Sequence, residues 1–186
     1  MTSNRLAQLS QRMAVVTLLL IAVMLLLNAL LWLVPSLVEK NGWGLGFALT
    51  ERQLGDMADQ AALFPWWQAL GGIVLSSVPL LAMAFGLVYL RRLFQTYARG
   101  EYFSREAALH LGKVGRGVAI WVLLDFLCEP LLSVWVTINA PVGERLVSLS
   151  ITAPTFVALF LAACISIIAR ILWQASEVDS ENRTFV

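Results

Sequence analysis

"MAVVTLLLIAVMLLLNALLWLV", residues 13–34, contains no charged side chain over 22 consecutive positions and is rich in leucine. A transmembrane helix needs about 20 predominantly apolar residues to cross the hydrocarbon layer of a bilayer. The stretch exceeds the apolar core of a cleavable signal peptide, which has about 7–15 residues, and no small-residue cleavage site follows it. We therefore interpret residues 13–34 as a retained first membrane span.

The whole chain has the composition of a membrane protein. Of its 186 residues, 59% are hydrophobic and 13% are charged, whereas about a quarter of the residues in soluble domains are charged. Three further apolar stretches predict spans over 66–90, 118–138 and 151–170. We predict an all-α fold, a four-helix bundle that forms a single transmembrane domain over residues 1–186. Since the net charge is only +1, no direct nucleic-acid partner is expected.

The basic residues are distributed unequally between the loops, and cytoplasmic loops retain Lys and Arg. One side carries ten of them: Arg5, Arg12, Arg91, Arg92, Arg99, Arg105, Lys113, Arg116, Arg170 and Arg183. The other side carries Lys40, Arg52 and Arg145. Both termini and the loop between the second and third spans are therefore expected to be cytoplasmic. Tryptophans near the outer span ends, among them Trp32, Trp66 and Trp135, are expected at headgroup level.

Two loops contain further helical patterns. "TERQLGDMADQAALF", residues 50–64, opens with a capping box at Thr50 and Gln53 and predicts an amphipathic helix lying on the outer membrane surface. "RRLFQTYARGEYFSREAALHLGKVGRG", residues 91–117, predicts a cytoplasmic helical hairpin. Gly100 is suited to end its first helix, and Ser104 is suited to cap the second. Six basic residues in this hairpin are candidates for attraction to anionic lipid or for partner binding: Arg91, Arg92, Arg99, Arg105, Lys113 and Arg116.

"YLRRLFQTYARGEYFSREAALHLGKVGRG", residues 89–117, and "RILWQASEVDSENRTFV", residues 170–186, resemble the DUF2975 family of small bacterial membrane proteins with about four spans. The matching motifs are the aromatic-x-x-aromatic pattern before Gly100, Phe103-Ser104 after it, and Glu181-Asn182 near the end. The resemblance implies a multi-pass protein of a bacterial inner membrane. Members are often encoded beside small helix-turn-helix transcription regulators, which implies such a regulator as a cytoplasmic partner.

The third span contains two acidic residues, Asp125 and Glu129, within "WVLLDFLCEPLLSVW", residues 121–135. Their four-residue spacing places them on one helix face, where two ionised carboxylates repel each other and where one shared proton is a reasonable state. By depth along the spans, Asn28, Ser76 and Ser77 join them in a polar layer. The layer fits structural hydrogen bonding between spans, a proton or small-cation site, or sensing of a ligand or a partner's span.

Two function classes follow from these patterns. The first is a regulatory or accessory membrane protein acting with a cytoplasmic partner, such as the helix-turn-helix regulator that the resemblance implies. The second is an oligomeric proton- or cation-linked transporter or channel subunit that uses the intramembrane carboxylates, for which a homo-oligomer is required because four spans are too few to enclose a pathway. An enzyme is not expected, since no nucleophile–base pair, phosphate-binding loop or metal cluster appears, and no cofactor or metal is expected.

Overall fold

The computed structural model describes residues 2–33, 64–139, 147, 149 and 153–184. These residues form four α-helices and no strand: α1 (Thr2–Leu33), α2 (Trp66–Ala98), α3 (Arg105–Val136) and α4 (Ala153–Thr184). Each helix is long and apolar enough to cross a membrane. A helix satisfies its own backbone hydrogen bonds, which is what a chain segment in hydrocarbon requires. The predicted all-α fold with four membrane-capable helices is confirmed.

The helices extend beyond the predicted spans. α2 continues to Ala98, eight residues past the predicted span end at Leu90, and α3 begins at Arg105, before the predicted span start at Val118. These two extensions are the arms of the predicted hairpin. The amphipathic helix predicted over 50–64 falls, except for its last residue, outside the described residues.

The turn of the hairpin is closed at both ends by local hydrogen bonds. Gly100 has a φ of 86°, and the amides of Gly100 and Glu101 donate to the carbonyls of Tyr97 (3.0 Å) and Thr96 (3.3 Å). This is a Schellman motif, in which glycine takes the left-handed conformation that a side chain would disfavour. The Ser104 hydroxyl then accepts a hydrogen bond from the Ala107 amide at 3.2 Å and caps α3. The turn is therefore a defined structure.

The chain divides into two compact units. The first contains Met1–Ile21, Ala82–Ile120 and Ala153–Val186, with parts of all four helices. Its helices α2 and α3 approach closely at Gly86 and Gly117, since an added Cβ on Gly117 would come within 2.6 Å of the Gly86 Cα. Small residues allow such close backbone contact between membrane helices. α3 also packs on α4, because a Cβ on Gly115 would lie 3.0 Å from the Ala162 carbonyl oxygen.

The second unit contains Ala22–Leu81 and Trp121–Thr152 and has a core of Trp32, Cys128, Leu132 and Val136. Trp32 is only 2% exposed, so its ring packs inside this unit. The expected position of Trp32 at headgroup level stays a prediction, because burial inside the unit does not fix its depth in a membrane. A Cβ on Gly72 would come within 2.4 Å of the Trp32 ring, which shows that this glycine makes room for it. The single domain over 1–186 stays a prediction.

Candidate functional site

Polar side chains connect α1 to α2 in the second unit. The Asn28 amide donates to the Ser77 hydroxyl at 3.1 Å, and the Trp32 indole N–H donates to the Ser76 hydroxyl at 3.1 Å. Ser76 in turn donates to the Ile73 carbonyl at 3.3 Å. Three of the predicted polar-layer residues are thus engaged in hydrogen bonds that hold the two helices in register. Such bonds contribute about 0.6 kcal/mol each in membrane proteins and about 1.7 kcal/mol at most.

The two acidic residues lie on α3 in the same unit. Glu129 is 2% exposed, and Asp125 is half-buried one helical turn away. Pro130 follows Glu129 inside the helix and cannot donate the backbone hydrogen bond that the Phe126 carbonyl would otherwise accept. A buried carboxyl group in an apolar helix is costly and is retained where it forms hydrogen bonds or takes part in function. With Asn28, Ser76 and Ser77, these two acids place all five predicted polar-layer residues in the second unit.

A glutamine that the sequence analysis did not single out links the start of α2 to the end of α3. Gln68 is 1% exposed, and its amide nitrogen donates to the carbonyls of Trp135 (3.2 Å) and Val136 (2.8 Å). Its side-chain oxygen accepts from Asn139 at 2.9 Å, while the Trp135 indole donates to the Gln68 carbonyl at 2.9 Å. The two bonds from the Gln68 amide nitrogen go to carbonyls of the last turn of α3, where helices lack the usual amide partners, although the Trp135 carbonyl also accepts from the Ile138 amide at 3.4 Å. The sequence feature that could have identified Gln68 is an amide side chain within an otherwise apolar stretch.

The six basic residues of the hairpin, all in the first unit, do not form one continuous surface. Arg91, Arg92 and Arg99 line a cavity of about 850 Å³ against α1. Arg116 and Arg170 line a groove of about 360 Å³ between α3 and α4. The Arg105 guanidinium lies 4.1 Å from the Trp173 ring centroid, and the Lys113 ammonium lies 4.5 Å from that of Tyr89. The predicted partner-binding set is thus divided among different contacts.

An aromatic side chain projects from the hairpin turn. Phe103 is 74% exposed, although Tyr97 and Tyr102 beside it pack together with ring centroids 5.8 Å apart. Arg99 and Arg105 flank the turn, and the Arg99–Glu106 ion pair at 3.6 Å is more than half exposed. Such an exposed pair contributes little to stability. The turn therefore presents an apolar ring between charged residues.

Together, the four apolar helices and the charged hairpin define a multi-pass membrane protein. Over the described parts of the chain, no three His, Cys, Asp or Glu side chains come together to hold a metal ion. The chain belongs to DUF2975, a family of proteins of unknown function, whose match covers residues 49–186. That match begins before α2 and includes the hairpin and the C-terminal tail. No curated protein and no solved structure matches the chain.

Proposed function

We propose that this protein is a regulatory or accessory protein of a bacterial inner membrane, which acts without chemistry of its own through a cytoplasmic protein partner. The distribution of the basic residues supports a cytoplasmic location for the termini and the hairpin, since ten of the thirteen basic residues lie on the side that carries them. That side would be the cytoplasm.

Phe103 carries the proposal. α2 continues for eight residues beyond Leu90, a rise of about 12 Å at 1.5 Å per residue. The headgroup layer adds only about 5–7 Å to each side of the hydrocarbon. With the edge of the hydrocarbon at Leu90, as the sequence predicts, the turn would lie beyond the headgroups, in water. Its Phe103 ring is 74% exposed. Aromatic and arginine side chains are the residues that most often dominate the binding energy of protein interfaces.

The proposed partner is a small helix-turn-helix transcription regulator. The neighbouring-gene habit of the family supports this class of partner, and the flanking Arg99 and Arg105 suit an acidic patch on its surface. Release or retention of the regulator at the membrane would then connect a signal in the bilayer to transcription. The hydrogen bonds within the turn favour such binding, because a segment already held in one conformation loses little conformational entropy on docking.

The experiment places the photo-crosslinking residue p-benzoylphenylalanine at position 103 in the full-length protein, expressed in its own host. The matched control places it at Trp66, which is 76% exposed at the other end of α2. We expect a crosslink from position 103 to a helix-turn-helix protein, identified by mass spectrometry, and none from position 66.

A second measurement tests the consequence of this contact. Replacing the chromosomal gene by Phe103→Ala should change the transcripts controlled by the crosslinked regulator, as deletion of the gene does. Equal crosslinking yields from positions 103 and 66, adducts with lipid alone, or transcripts that deletion leaves unchanged would each contradict the proposal.

Burial of Glu129 favours a second candidate, an oligomeric proton- or cation-linked transporter or channel subunit. A carboxyl group buried within a membrane span is a typical element of proton relays. The test is flux into liposomes as a function of pH, with the Asp125→Asn and Glu129→Gln double variant as comparison. This candidate requires proton or cation flux through the wild-type protein that the double variant lacks. Absence of flux through the wild-type protein at every pH would contradict it.

A further inference from the structure

The cavity of about 850 Å³ in the first unit is bounded by α1, α2 and α3. Its volume falls within the range of about 300–1,000 Å³ that is typical of sites for drug-sized ligands. Three arginines line it, Arg91 and Arg92 of α2 and Arg99 of the turn that follows, and Glu106 supplies a carboxylate. The Glu106 carboxylate lies 3.6 Å from the Arg99 guanidinium. The one negative charge among these four side chains is therefore at the Arg99 end of the cavity. The wall has an excess of positive charge.

Cationic side chains are crowded beside this wall. The Arg92 guanidinium and the Lys113 ammonium lie 5.1 Å and 4.5 Å from the centroid of the same ring, that of Tyr89. An aromatic ring attracts each cation but does not neutralise it. Two like charges on one ring repel each other, and an anion bound nearby would reduce that repulsion. The arrangement therefore favours an anionic ligand.

His110 provides an independent observation. It lines the cavity and is only 9% exposed. Its Nδ1 has no hydrogen-bond partner within the described part of the chain. Buried polar atoms in proteins are nearly always paired, so a single orphaned atom calls for an explanation. This nitrogen is itself covered in the present conformation, so a ligand oxygen would pair with it only after the imidazole ring turns toward the cavity.

The α1 side of the cavity is mainly apolar, with Gln11 as its polar member. Ala14, Val15 and Leu18 of α1 line it, and all three belong to the charge-free stretch 13–34. Val15 and Leu18 are about half exposed, at 54% and 45%. One cavity thus combines guanidinium groups with aliphatic side chains that continue into the membrane span. A free phosphate ion uses the first feature only, whereas a phospholipid uses both.

We propose that this cavity binds an anionic phospholipid, with Arg91, Arg92 and Arg99 holding the phosphate and Val15 and Leu18 contacting an acyl chain. Arginine forms charge-assisted, often bidentate hydrogen bonds to phosphate. Basic pockets between membrane helices on the cytoplasmic side are a known type of lipid headgroup site. The proposal does not depend on Phe103 or on a protein partner.

The experiment measures lipid binding to the full-length, delipidated protein in detergent by native mass spectrometry. The ligands are phosphatidylglycerol, phosphatidylcholine and inorganic phosphate, each titrated separately and in competition. The test variant is Arg91→Gln, Arg92→Gln and Arg99→Gln combined. The charge-matched control is Arg105→Gln, Arg116→Gln and Arg170→Gln combined, which removes the same charge from the other contacts in this unit.

We expect one saturable phosphatidylglycerol per chain in the wild type and in the control. Binding should weaken at least about tenfold in the test variant, as loss of charge-assisted hydrogen bonds predicts. Phosphatidylcholine should bind weakly to all three proteins. Equal loss in the control would show that only general attraction operates, and displacement of the lipid by inorganic phosphate would show a free-phosphate site. Either result would overturn the proposal.

A second variant, Leu18→Trp, keeps every charge and fills the apolar side of the cavity. It should weaken phosphatidylglycerol binding while the circular dichroism spectrum stays that of the wild type. This variant covers the case in which the triple arginine variant fails to fold. Unchanged lipid affinity in Leu18→Trp would contradict the assignment of the acyl chain to this wall.

Discussion

The contact of Gly86 with Gly117 allows a stability prediction in which one glycine serves as the control for the other. A Cβ on Gly117 would lie 2.6 Å from the Gly86 Cα and 2.9 Å from its backbone nitrogen. A Cβ on Gly86 would lie 3.4 Å from the Gly117 Cα and 3.6 Å from the Val114 carbonyl oxygen. Backbone atoms cannot turn away as a flexible side chain can. Gly117→Ala therefore forces α2 and α3 apart, whereas Gly86→Ala requires little movement.

The magnitude follows from two opposing terms. Overpacking a well-packed contact costs about 1–3 kcal/mol, and backbone against Cβ belongs at the upper end of that range. Alanine is favoured over glycine in a helix by about 0.8–1 kcal/mol. We expect Gly117→Ala to lower the free energy of unfolding by about 1–2 kcal/mol and Gly86→Ala to leave it unchanged or raise it by up to about 1 kcal/mol. The difference between the two variants, about 2 kcal/mol, is independent of helix propensity because that term cancels.

The assay is reversible unfolding of the purified protein in mixed micelles with increasing sodium dodecyl sulfate, followed by tryptophan fluorescence and circular dichroism. Both variants are compared with the wild type in the same micelles, since only differences in unfolding free energy enter the argument. If Gly86→Ala proves as destabilising as Gly117→Ala, or more so, the asymmetric approach of the two backbones is refuted.

The remaining predictions concern hydrogen bonds and backbone conformation. Gln68→Leu removes the bonds to the carbonyls of Trp135 and Val136 and should cost about 1–3 kcal/mol because the buried Val136 carbonyl loses this partner; micelle unfolding unchanged from wild type would argue against this role. Ser104→Ala removes the cap of α3 and should cost about 0.5–2 kcal/mol, seen as faster amide hydrogen exchange in its first turn, with Ser104→Thr retaining protection; equal exchange in all three proteins would be inconsistent with a working cap. Gly100→Ala places a side chain at a φ of 86° and should cost about 1–2 kcal/mol, while Gly100→Asn should cost less; a reversed order in micelle unfolding would speak against the left-handed turn.

The hairpin shows which features of this protein can be predicted locally. Gly100 and Ser104 act through the backbone within a few residues, so their roles are visible in the sequence and both appear in the structure. The same is true of the apolar stretches, because hydrocarbon requires long uncharged helices whatever they pack against. The polar layer is a partial case. Depth along the spans brought Asn28 and Ser77 to similar height, and the structure joins them by a hydrogen bond.

The amino-acid sequence by itself determined the four membrane-capable helices, the turn between α2 and α3 and the unequal distribution of basic residues along the chain. Only the tertiary structure decided that Trp32 is buried, that Gln68 holds the end of α3 and that the hairpin's basic residues are divided between two cavities and two aromatic rings. The physical reason is that the membrane-spanning parts of these helices carry apolar residues around almost their whole circumference. Without an apolar stripe the sequence does not indicate which face packs inward, and contacts between faces depend on how the helices meet.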